Sequence, residues 1–374
     1  MLNKNNEIKE IRKERKKERG KKIKKSDNKK TFLVTGASGF LGYNLCKFLV
    51  NKKQRVIGVD ISDFNYDDLK DKIVFYRADI REKFAMEKII KGVDIIVHAA
   101  AALPLWSKKE IFSVNVYGTK LLLELAYQEN VERFIFISST AVYGIPKTHP
   151  VTEESPISAI GPYAESKIEA EKICLEYRKK GMCIPIIRPK TFVGEARLGV
   201  FSIFFDWART GHNFPIIGNG RNRYQLLDVS DLAEAIWLCC TKEKNIVNDT
   251  FNVGAKEFKT MREDFQAVLD YAGHGKRIIT TPAWLVIPAI KVLSLLKLLP
   301  LYPWIYETAH IEHYVDVSKI EKKLGWEPKK STSQALVDSY KWYEKHWKEY
   351  ENSSGITHRT KWNEGVMKFL KFFI

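Results

Sequence analysis

The glycine-rich segment Gly36-Ala-Ser-Gly39-Phe-Leu-Gly42 constrains the fold more than any other feature of the chain. It follows the apolar run Thr31–Thr35 and leads into Phe40–Val50, whose apolar residues recur with helical spacing. Glycines in such a place let the backbone turn tightly from a strand into a helix, and they let an anionic group approach the N-terminus of that helix. The segment therefore predicts a strand–turn–helix unit that binds phosphate groups.

Short runs of β-branched residues then alternate with amphipathic segments. This alternation is typical of a parallel sheet with helices on both faces, because parallel strands need long crossover connections. The chain is therefore predicted to be an α/β protein with a Rossmann-type, doubly wound parallel sheet and a smaller C-terminal substrate lobe. The predicted strands after the first are Arg55–Val59, Ile73–Tyr76, Val93–Val97, Phe134–Ile137 and Ile184–Ile187; the predicted helices are Arg81–Lys91, Ile111–Gln128 and Pro162–Lys179.

Asp60 stands at the end of the second predicted strand. In dinucleotide-binding folds an acid at this place accepts hydrogen bonds from both hydroxyls of the adenosine ribose. The carboxylate would repel a 2′-phosphate, so it favours NAD over NADP as the cofactor. The glycine spacing alone is a weak signal, but its position between a predicted strand and helix, with an acid ending the next strand, makes it specific.

The strand and helix pattern loosens after Gly194. We therefore predict four regions along the chain. They are a basic arm over 1–30, an NAD-binding domain over 31–195 to which 220–255 return, a mainly substrate-binding lobe over 196–350, and an apolar, basic tail over 351–374.

Tyr163 and Lys167 stand at positions i and i+4 of Tyr163-Ala-Glu-Ser-Lys167, which places them on one face of a predicted helix. A neighbouring ammonium stabilises a phenolate and lowers the tyrosine pKa, as a general base for a substrate hydroxyl requires. Ser139 follows a predicted strand, at the edge of the sheet where such folds bind their ligands. The three residues together are far more specific than any one of them.

These motifs resemble those of the extended short-chain dehydrogenase/reductase superfamily, in its NAD-dependent epimerase/dehydratase branch. The resemblance covers roughly residues 31–350 and leaves only the two tails unmatched. The matching elements are the glycine loop, Asp60, Asp79-Ile80, His98-Ala99-Ala100-Ala101, Asn115 in VNVYGT, SSTAVYG, YAESK, Arg188-Pro189, Val229-Ser-Asp231-Leu-Ala, Ser318-Lys319 and Leu324-Gly325-Trp326-Glu-Pro328.

The resemblance implies a role for each matching residue. Tyr163 would remove a proton from a substrate hydroxyl, Lys167 would lower the tyrosine pKa and bind the nicotinamide ribose, and Ser139 would hold the substrate oxygen. Phe40 and Leu41 would reach the pyrophosphate through backbone N–H groups, whereas Asn115 and His98 are expected to be mainly structural. The implied cofactor-binding set is Gly36, Gly39, Phe40, Leu41, Gly42, Asp60, Asp79, Ile80, Ala99, Ala100, Ala101, Asn115, Tyr163, Lys167 and Lys190.

Three departures from the family pattern bear on the substrate. Thr140 and Ala141 replace the Asp-Glu pair of sugar-nucleotide 4,6-dehydratases, which argues against dehydration, and Thr140 is the lesser candidate for the catalytic hydroxyl. Thr191 replaces an asparagine that usually contacts the sugar nucleotide. Tyr224 replaces a diphosphate-binding arginine, although Arg221 and Arg223 are close in sequence. Thr140, Thr191, Arg221 and Arg223 are therefore the predicted substrate-binding residues.

Two enzyme functions remain open. The first is an NAD-dependent epimerase for a nucleotide-activated sugar. The second is a dehydrogenase similar to the 3β-hydroxysteroid branch, which would act on a hydrophobic alcohol or ketone at a membrane surface. The apolar segment 283–301 and the Arg188-Pro189 pair favour the second. The resemblance also implies a homodimer formed through Ile111–Gln128 and Pro162–Lys179.

The net charge of +17 raises the question of a polyanionic partner. Residues 1–30 hold 14 basic and five acidic side chains, so this arm carries more than half of the excess. It has no aromatic residue for base stacking, which argues against nucleic acid. Together with 283–301 and 362–374, it instead suits peripheral contact with anionic lipid.

The five scattered cysteines form no C-x-x-C pair and suit a reducing compartment. The first 30 residues lack the apolar segment of a signal peptide. We therefore expect a cytoplasmic enzyme, either free or held at the cytoplasmic face of a membrane. The sequence shows no metal-ligand spacing.

Overall fold

The computed structural model describes residues 29–296, 298–299, 301, 303–351, 355, 357–362, 365, 368 and 371. Nearly all of the predicted basic arm therefore lies outside the described residues. The main sheet has seven parallel strands in the order β3-β2-β1-β4-β5-β6-β10. These are β1 Thr31–Thr35, β2 Arg55–Asp60, β3 Val74–Arg77, β4 Ile95–His98, β5 Arg133–Ile137, β6 Ile186–Pro189 and β10 Thr250–Val253. The predicted doubly wound α/β fold is confirmed.

Helices cover both faces of this sheet. Successive residues of a strand point to opposite faces, and apolar side chains on both faces are buried under helices. Phe32 and Val34 of β1 join one buried cluster, whereas Leu33 between them joins another. The helices of this part are α1 Phe40–Asn51, α2 Lys83–Ile89, α3 Lys108–Phe112, α4 Thr119–Gln128, α5 Gly161–Lys179, α7 Val229–Thr241 and α8 Lys244–Val247, with a π-helical turn at Ser113–Gly118 and a 3₁₀ turn at Thr140–Tyr143.

The order of the strands reverses beside β1. The chain runs from β1 outward to β2 and β3, then returns to β4 on the opposite side of β1. At such a switch point the loops after the two central strands diverge and leave a crevice at the carboxyl ends of the strands. The glycine loop follows β1 and Ala99–Ala101 follow β4, so both lie at this crevice.

The remaining elements form a smaller lobe beside the sheet. It includes the parallel pair β8 Phe214–Ile217 and β11 Ile278–Thr281, and the short pair β7 Phe192–Val193 and β9 Leu227–Asp228 links it to the sheet. Its helices are α6 Val200–Arg209, α9 Met261–Ala272, α10 Ala283–Leu295, α11 Pro303–Thr308 and α13 Thr332–His346, followed by a 3₁₀ turn at Trp347–Tyr350. Helix α12 Ser318–Leu324 instead packs on the main sheet, where Ile320 and Leu324 join the same buried cluster as Val253 of β10. A largely aromatic core of Phe204, Phe205, Phe265 and Tyr340 holds α6, α9 and α13 together.

The apolar segment predicted over 283–301 is helical as far as Leu295 and contains Pro288. One side packs inward, where Ile290 meets Tyr306. The other side leaves Trp284 79% and Leu295 84% exposed. Within the described part of the chain, no helix combines the length and apolar character needed to cross a membrane.

Candidate active site

A cavity of about 650 Å³ opens at the switch point between the sheet and the smaller lobe. Such a volume is typical of small-molecule and cofactor sites. Side chains from both the nucleotide-binding and the catalytic motifs line it. Of the predicted residues it brings together Gly36, Gly39, Phe40, Leu41, Gly42, Asp60, Asp79, Ile80, Ala99, Ala100, Ala101, Ser139, Tyr163, Lys167, Lys190 and Thr191.

The glycine loop forms one wall and has no room for side chains. A β-carbon at Gly42 would stand 2.0 Å from the carbonyl oxygen of Gly36, and one at Gly36 would stand 2.8 Å from the backbone of Ala100. Helix α1 begins at Phe40, and the N–H groups in the first turn of a helix have no partner within it. The loop therefore fits the pyrophosphate of a dinucleotide, with Phe40 and Leu41 at the helix N-terminus that would receive it.

Asp60 ends β2 beside this loop. Its carboxylate accepts hydrogen bonds from the backbone N–H groups of Ser38 at 3.0 Å and Ser62 at 2.9 Å. Burial raises the pKa of Asp60, while these hydrogen bonds and the charge of Arg359 act in the opposite direction. Since each carboxylate oxygen can accept more than one hydrogen bond, the carboxylate keeps capacity for two ribose hydroxyls. Its place and orientation fit NAD.

The next wall combines an ion pair with small side chains. Arg81 holds the Asp79 carboxylate at 2.6 Å, and this hydrogen bond lowers the pKa of Asp79. After β4, the Ala100 N–H donates to Thr35 Oγ1 at 3.2 Å, so that the alanine run after the strand forms a flat surface. The arrangement suits the adenine and ribose of the cofactor, the role that the family resemblance implies.

His98 and Asn115 support this wall from behind. His98 bridges Thr35 at 2.7 Å and Thr119 at 2.9 Å, and burial lowers its pKa to about 3, so the ring is neutral. Asn115 accepts from the N–H of Ala102 at 2.8 Å and donates to Ser166, and it is not among the side chains that line the cavity. Its position is that of a structural brace rather than a contact with cofactor.

Ser139, Tyr163 and Lys167 converge at the opposite end of the cavity. Tyr163 lies in the first turn of α5 and lines the cavity next to Ser139, the residue that caps the 3₁₀ turn after β5. Lys167 Nζ donates to the carbonyl oxygen of Ile137 at 2.8 Å and lies 5.9 Å from the centre of the Tyr163 ring. A hydroxyl, a phenol and an amine therefore face one reaction space.

Burial acts on both ionisable members of this group. It raises the pKa of Tyr163 to about 12 and lowers the pKa of Lys167 to about 8. The sequence predicts a lowered tyrosine pKa, but the loss of hydration on burial disfavours the phenolate and raises the pKa instead. Tyr163 is therefore protonated at neutral pH in the ligand-free protein, and additional positive charge is needed before it can act as a base.

The predicted substrate residues divide into two groups. Thr191 lines the cavity. Lys190, which was predicted to bind the cofactor, also lines it, and its buried amine is hydrogen-bonded to His313. Thr140 instead donates to the carbonyl oxygen of Pro189 at 3.3 Å, away from the cavity.

Arg221 and Arg223 also lie outside the lining, and Arg223 pairs with Glu312 at 3.2 Å. Side chains alternate along an extended segment, so Tyr224, which is partly buried against the smaller lobe's core, turns its neighbour Arg223 outward. Proximity in sequence is therefore not proximity to the site for these two arginines.

Several lining residues carry no sequence motif. Trp106, Pro303 and Trp304 line the cavity, as does the C-terminal segment 357–360. No sequence pattern marks Trp106 or Trp304 as part of the site, and none connects 357–360 with the glycine loop. Tertiary packing alone brings them to the site.

The sequence model of the NAD dependent epimerase/dehydratase family matches residues 32–254. The chain belongs to this family. Membership confirms the predicted family and NAD as the family's cofactor, and the cavity fits that cofactor at the glycine loop and Asp60.

Relatives of this family member cover nearly the whole chain. An uncharacterised protein, y4nG of Sinorhizobium fredii, is 34% identical over 92% of this chain and 86% of its own length. A putative UDP-glucose 4-epimerase of Methanocaldococcus jannaschii is 29% identical over 83% of this chain and 97% of its own. The crystal structure of a UDP-glucose 4-epimerase from Thermotoga maritima with UDP-glucose is similar at a TM-score of 0.72 and 25% identity, over 85% of this chain and 99% of that one.

Acidic residues are unevenly placed around the cavity of this epimerase/dehydratase family member. Asp60, Asp63, Asp79 and Glu110 all lie at the end formed by β2, β3 and α3. Beside Ser139 the lining residue is Ala141. Elimination of water needs a positioned acid and base, and the described lining offers no carboxylate next to the hydroxyl.

Proposed function

We propose that the protein is an NAD-dependent epimerase that oxidises and then re-reduces a secondary hydroxyl of a nucleotide-activated sugar. The observation that carries this proposal is that Ser139, Tyr163 and Lys167 share one cavity with the glycine loop and Asp60. Relatives named as UDP-glucose 4-epimerases support the substrate class, among them one of Lactobacillus helveticus that is 28% identical over 86% of this chain.

The side chains suggest how the reaction proceeds. When bound, NAD supplies a hydride acceptor and a positive charge next to Tyr163. Ser139 holds the substrate oxygen, and Tyr163 removes its proton while Lys167 stabilises the phenolate. After the oxidised sugar has rotated in the cavity, the hydride returns to the opposite face of the same carbon and Tyr163 gives the proton back to the oxygen.

Thr191 and Trp304 line the part of the cavity that we assign to the sugar. A nucleotide diphosphate needs cationic partners. Since Arg221 and Arg223 do not line the cavity, we assign this contact to Arg197, which does.

The test is a panel of UDP-, GDP- and dTDP-sugars with absorbance of NADH as one readout and product analysis as the other. We expect interconversion of two epimers without net formation of NADH. Replacing the catalytic phenol in Tyr163→Phe should reduce kcat by about 10²–10⁴-fold. The matched control Tyr271→Phe, which changes an exposed tyrosine of α9, should be unaffected. A protein that retains NAD(H) but interconverts none of these sugars would refute the proposal.

A second candidate is the oxidation or reduction of a hydrophobic alcohol or ketone. The observation in its favour is the apolar wall of Leu103, Pro104, Trp106, Pro303 and Trp304 around the reaction space. A putative dihydroflavonol 4-reductase of Synechocystis is 27% identical over 84% of this chain. Net formation of NADH from such an alcohol, with no change in any nucleotide sugar, would favour this candidate.

Peripheral contact with a membrane is proposed for the exposed side of α10, where Trp284, Leu285, Val292 and Leu295 face solvent. Contiguous exposed apolar surface of this kind marks interaction sites. Co-sedimentation with vesicles that contain anionic lipid should be weaker for the double variant Trp284→Ser/Leu295→Ser than for wild type. Vesicles of neutral lipid should bind less of either protein than anionic vesicles do. Equal sedimentation of variant and wild type would contradict the contact.

We also propose the homodimer that the family resemblance implies, formed through α4 and α5. Leu175 of α5 is 43% exposed and Tyr117, in the turn before α4, is 55% exposed, so apolar surface is available there. Light scattering should give the mass of two chains for the wild type and of one chain for Leu175→Glu. A monomeric wild type would contradict this arrangement.

A further inference from the structure

The segment 357–362, which we call the strap, lies outside the family match, and its residues 357–360 form part of the cavity wall. Thr357, His358, Arg359 and Thr360 all line the cavity together with the glycine loop. The family model ends at residue 254, more than 100 residues earlier. The strap is therefore an addition to the shared nucleotide-binding motifs.

Two kinds of contact hold the strap in place. Its backbone pairs with the chain before α6, because the N–H groups of Leu198 and Gly199 donate to the carbonyl oxygens of His358 at 2.9 Å and Thr360 at 3.0 Å. At its far end Trp362 is only 3% exposed and packs against Trp207. A segment with a buried anchor and backbone hydrogen bonds is a fixed part of the wall and not a loosely associated tail.

Arg359 of the strap lies at the end of the cavity that holds the glycine loop. Its guanidinium lies 4.0 Å from the centre of the Tyr66 ring and donates a hydrogen bond to the carbonyl oxygen of Ser38, inside the glycine loop. Its charge also acts on Asp60, where it partly offsets the rise in pKa that burial causes. The guanidinium therefore stands between the loop that fits a pyrophosphate and the acid that fits the adenosine ribose.

We propose that the strap completes the NAD site, that Arg359 contacts the adenosine diphosphate half of the cofactor, and that NAD leaves only when the strap is displaced. A guanidinium keeps five N–H donors, so the bond to Ser38 leaves others for phosphate or ribose oxygens. Stacking on Tyr66 fixes its orientation in advance. The inference depends on NAD binding and not on the identity of the substrate, so it stands or falls separately from the proposed epimerase activity.

The experiment measures the release of NADH from the full-length protein by stopped-flow fluorescence, after addition of excess NAD. Arg359→Ala should release NADH about tenfold faster than wild type, and Arg359→Lys should show an intermediate rate because it keeps the charge but loses the planar stack. Trp362→Ala, which frees the anchor, should also accelerate release. The matched control is Arg55→Ala, an exposed arginine at the other end of β2, which should release NADH at the wild-type rate.

Binding of ADP-ribose, which lacks the nicotinamide, locates the contact. Its affinity should decrease about tenfold in Arg359→Ala if the guanidinium contacts the adenosine half. Release rates within twofold of wild type in Arg359→Ala, with an unchanged thermal midpoint, would overturn the proposal even if Trp362→Ala fails to fold. Unchanged affinity for ADP-ribose in Arg359→Ala would equally refute the assigned contact.

Discussion

Replacing Lys167 with methionine tests whether the catalytic amine destabilises the ligand-free fold. Lys167 is 4% exposed, its ammonium donates to the Ile137 carbonyl oxygen, and it lies 5.0 Å from the centre of the Phe136 ring. Burial lowers its pKa from 10.5 to about 8. Methionine has a similar length and no charge, so it fills the same space without a desolvated ammonium.

The magnitude follows from proton linkage. The two pKa values differ by about 2.5 pH units, and one unit corresponds to about 1.4 kcal/mol, so the buried ammonium lowers the free energy of unfolding by about 3 kcal/mol at pH 7. Between pH 8 and pH 10.5 the unfolded chain binds more protons than the folded one, so this cost decreases as pH rises. At pH 9.5 about 1.4 kcal/mol of it remains.

The assay is urea unfolding of wild type and Lys167→Met at pH 7 and pH 9.5. The lost hydrogen bond to Ile137 offsets about 1.5–3 kcal/mol of the gain at both pH values. The free energy of unfolding of Lys167→Met minus that of wild type should therefore be about 2 kcal/mol lower at pH 9.5 than at pH 7. Lys172→Met, which changes an exposed lysine of the same helix, should show no such movement. A pH-independent difference between Lys167→Met and wild type would refute the reasoning.

Three further substitutions test other parts of the site. Asp60→Ser should decrease the preference for NAD over NADP at least about tenfold in fluorescence titrations, because the carboxylate no longer repels a 2′-phosphate. Gly42→Ala should abolish NAD binding measured by calorimetry, since its β-carbon would stand 2.0 Å from the Gly36 oxygen. Glu171→Ala should lower the free energy of unfolding by about 3–5 kcal/mol in urea, because it removes the carboxylate 2.6 Å from the buried Arg188 and leaves that charge with only neutral hydrogen-bond partners, Tyr143 and the carbonyl oxygen of Glu153.

Each of these has a control and a contradicting outcome. An unchanged ratio of the two dissociation constants in Asp60→Ser would mean that another group selects the cofactor. Wild-type affinity in Gly42→Ala would contradict the close approach of the loop. For Glu171→Ala the control is Glu169→Ala, an exposed acid on the same helix, which should cost less than about 1 kcal/mol.

Local patterns in the sequence were sufficient to predict the nucleotide-binding half. The glycine spacing, the apolar run before it and Asp60 after the next run are all within 30 residues of chain, and each reports a local requirement of backbone geometry or charge. The predicted strands agree with the observed ones to within a residue or two. Helix Arg81–Lys91 was predicted too long, because it begins only at Lys83, after Asp79 has formed its turn with Arg81.

The substrate end could not be predicted in the same way. Arg221 and Arg223 were chosen for their closeness to Tyr224 in sequence, but the backbone there is extended and turns Arg223 outward to Glu312. Lys190 was assigned to the cofactor from its place after β6, and its partner His313 is 123 residues away along the chain. Such pairings depend on how the smaller lobe folds back, which no local pattern encodes.

The sequence by itself determined the fold class and the cofactor and nominated three candidate catalytic residues, because each depends on short-range spacing along a strand, a turn or a helix. Only the tertiary structure decided how these residues are used. Burial separates the pKa values of Tyr163 and Lys167 in a direction that their spacing does not predict, since desolvation is a property of the surroundings. The same applies to Arg359, which reaches Ser38 across 321 residues of chain and becomes part of the NAD site only through the packing of the strap.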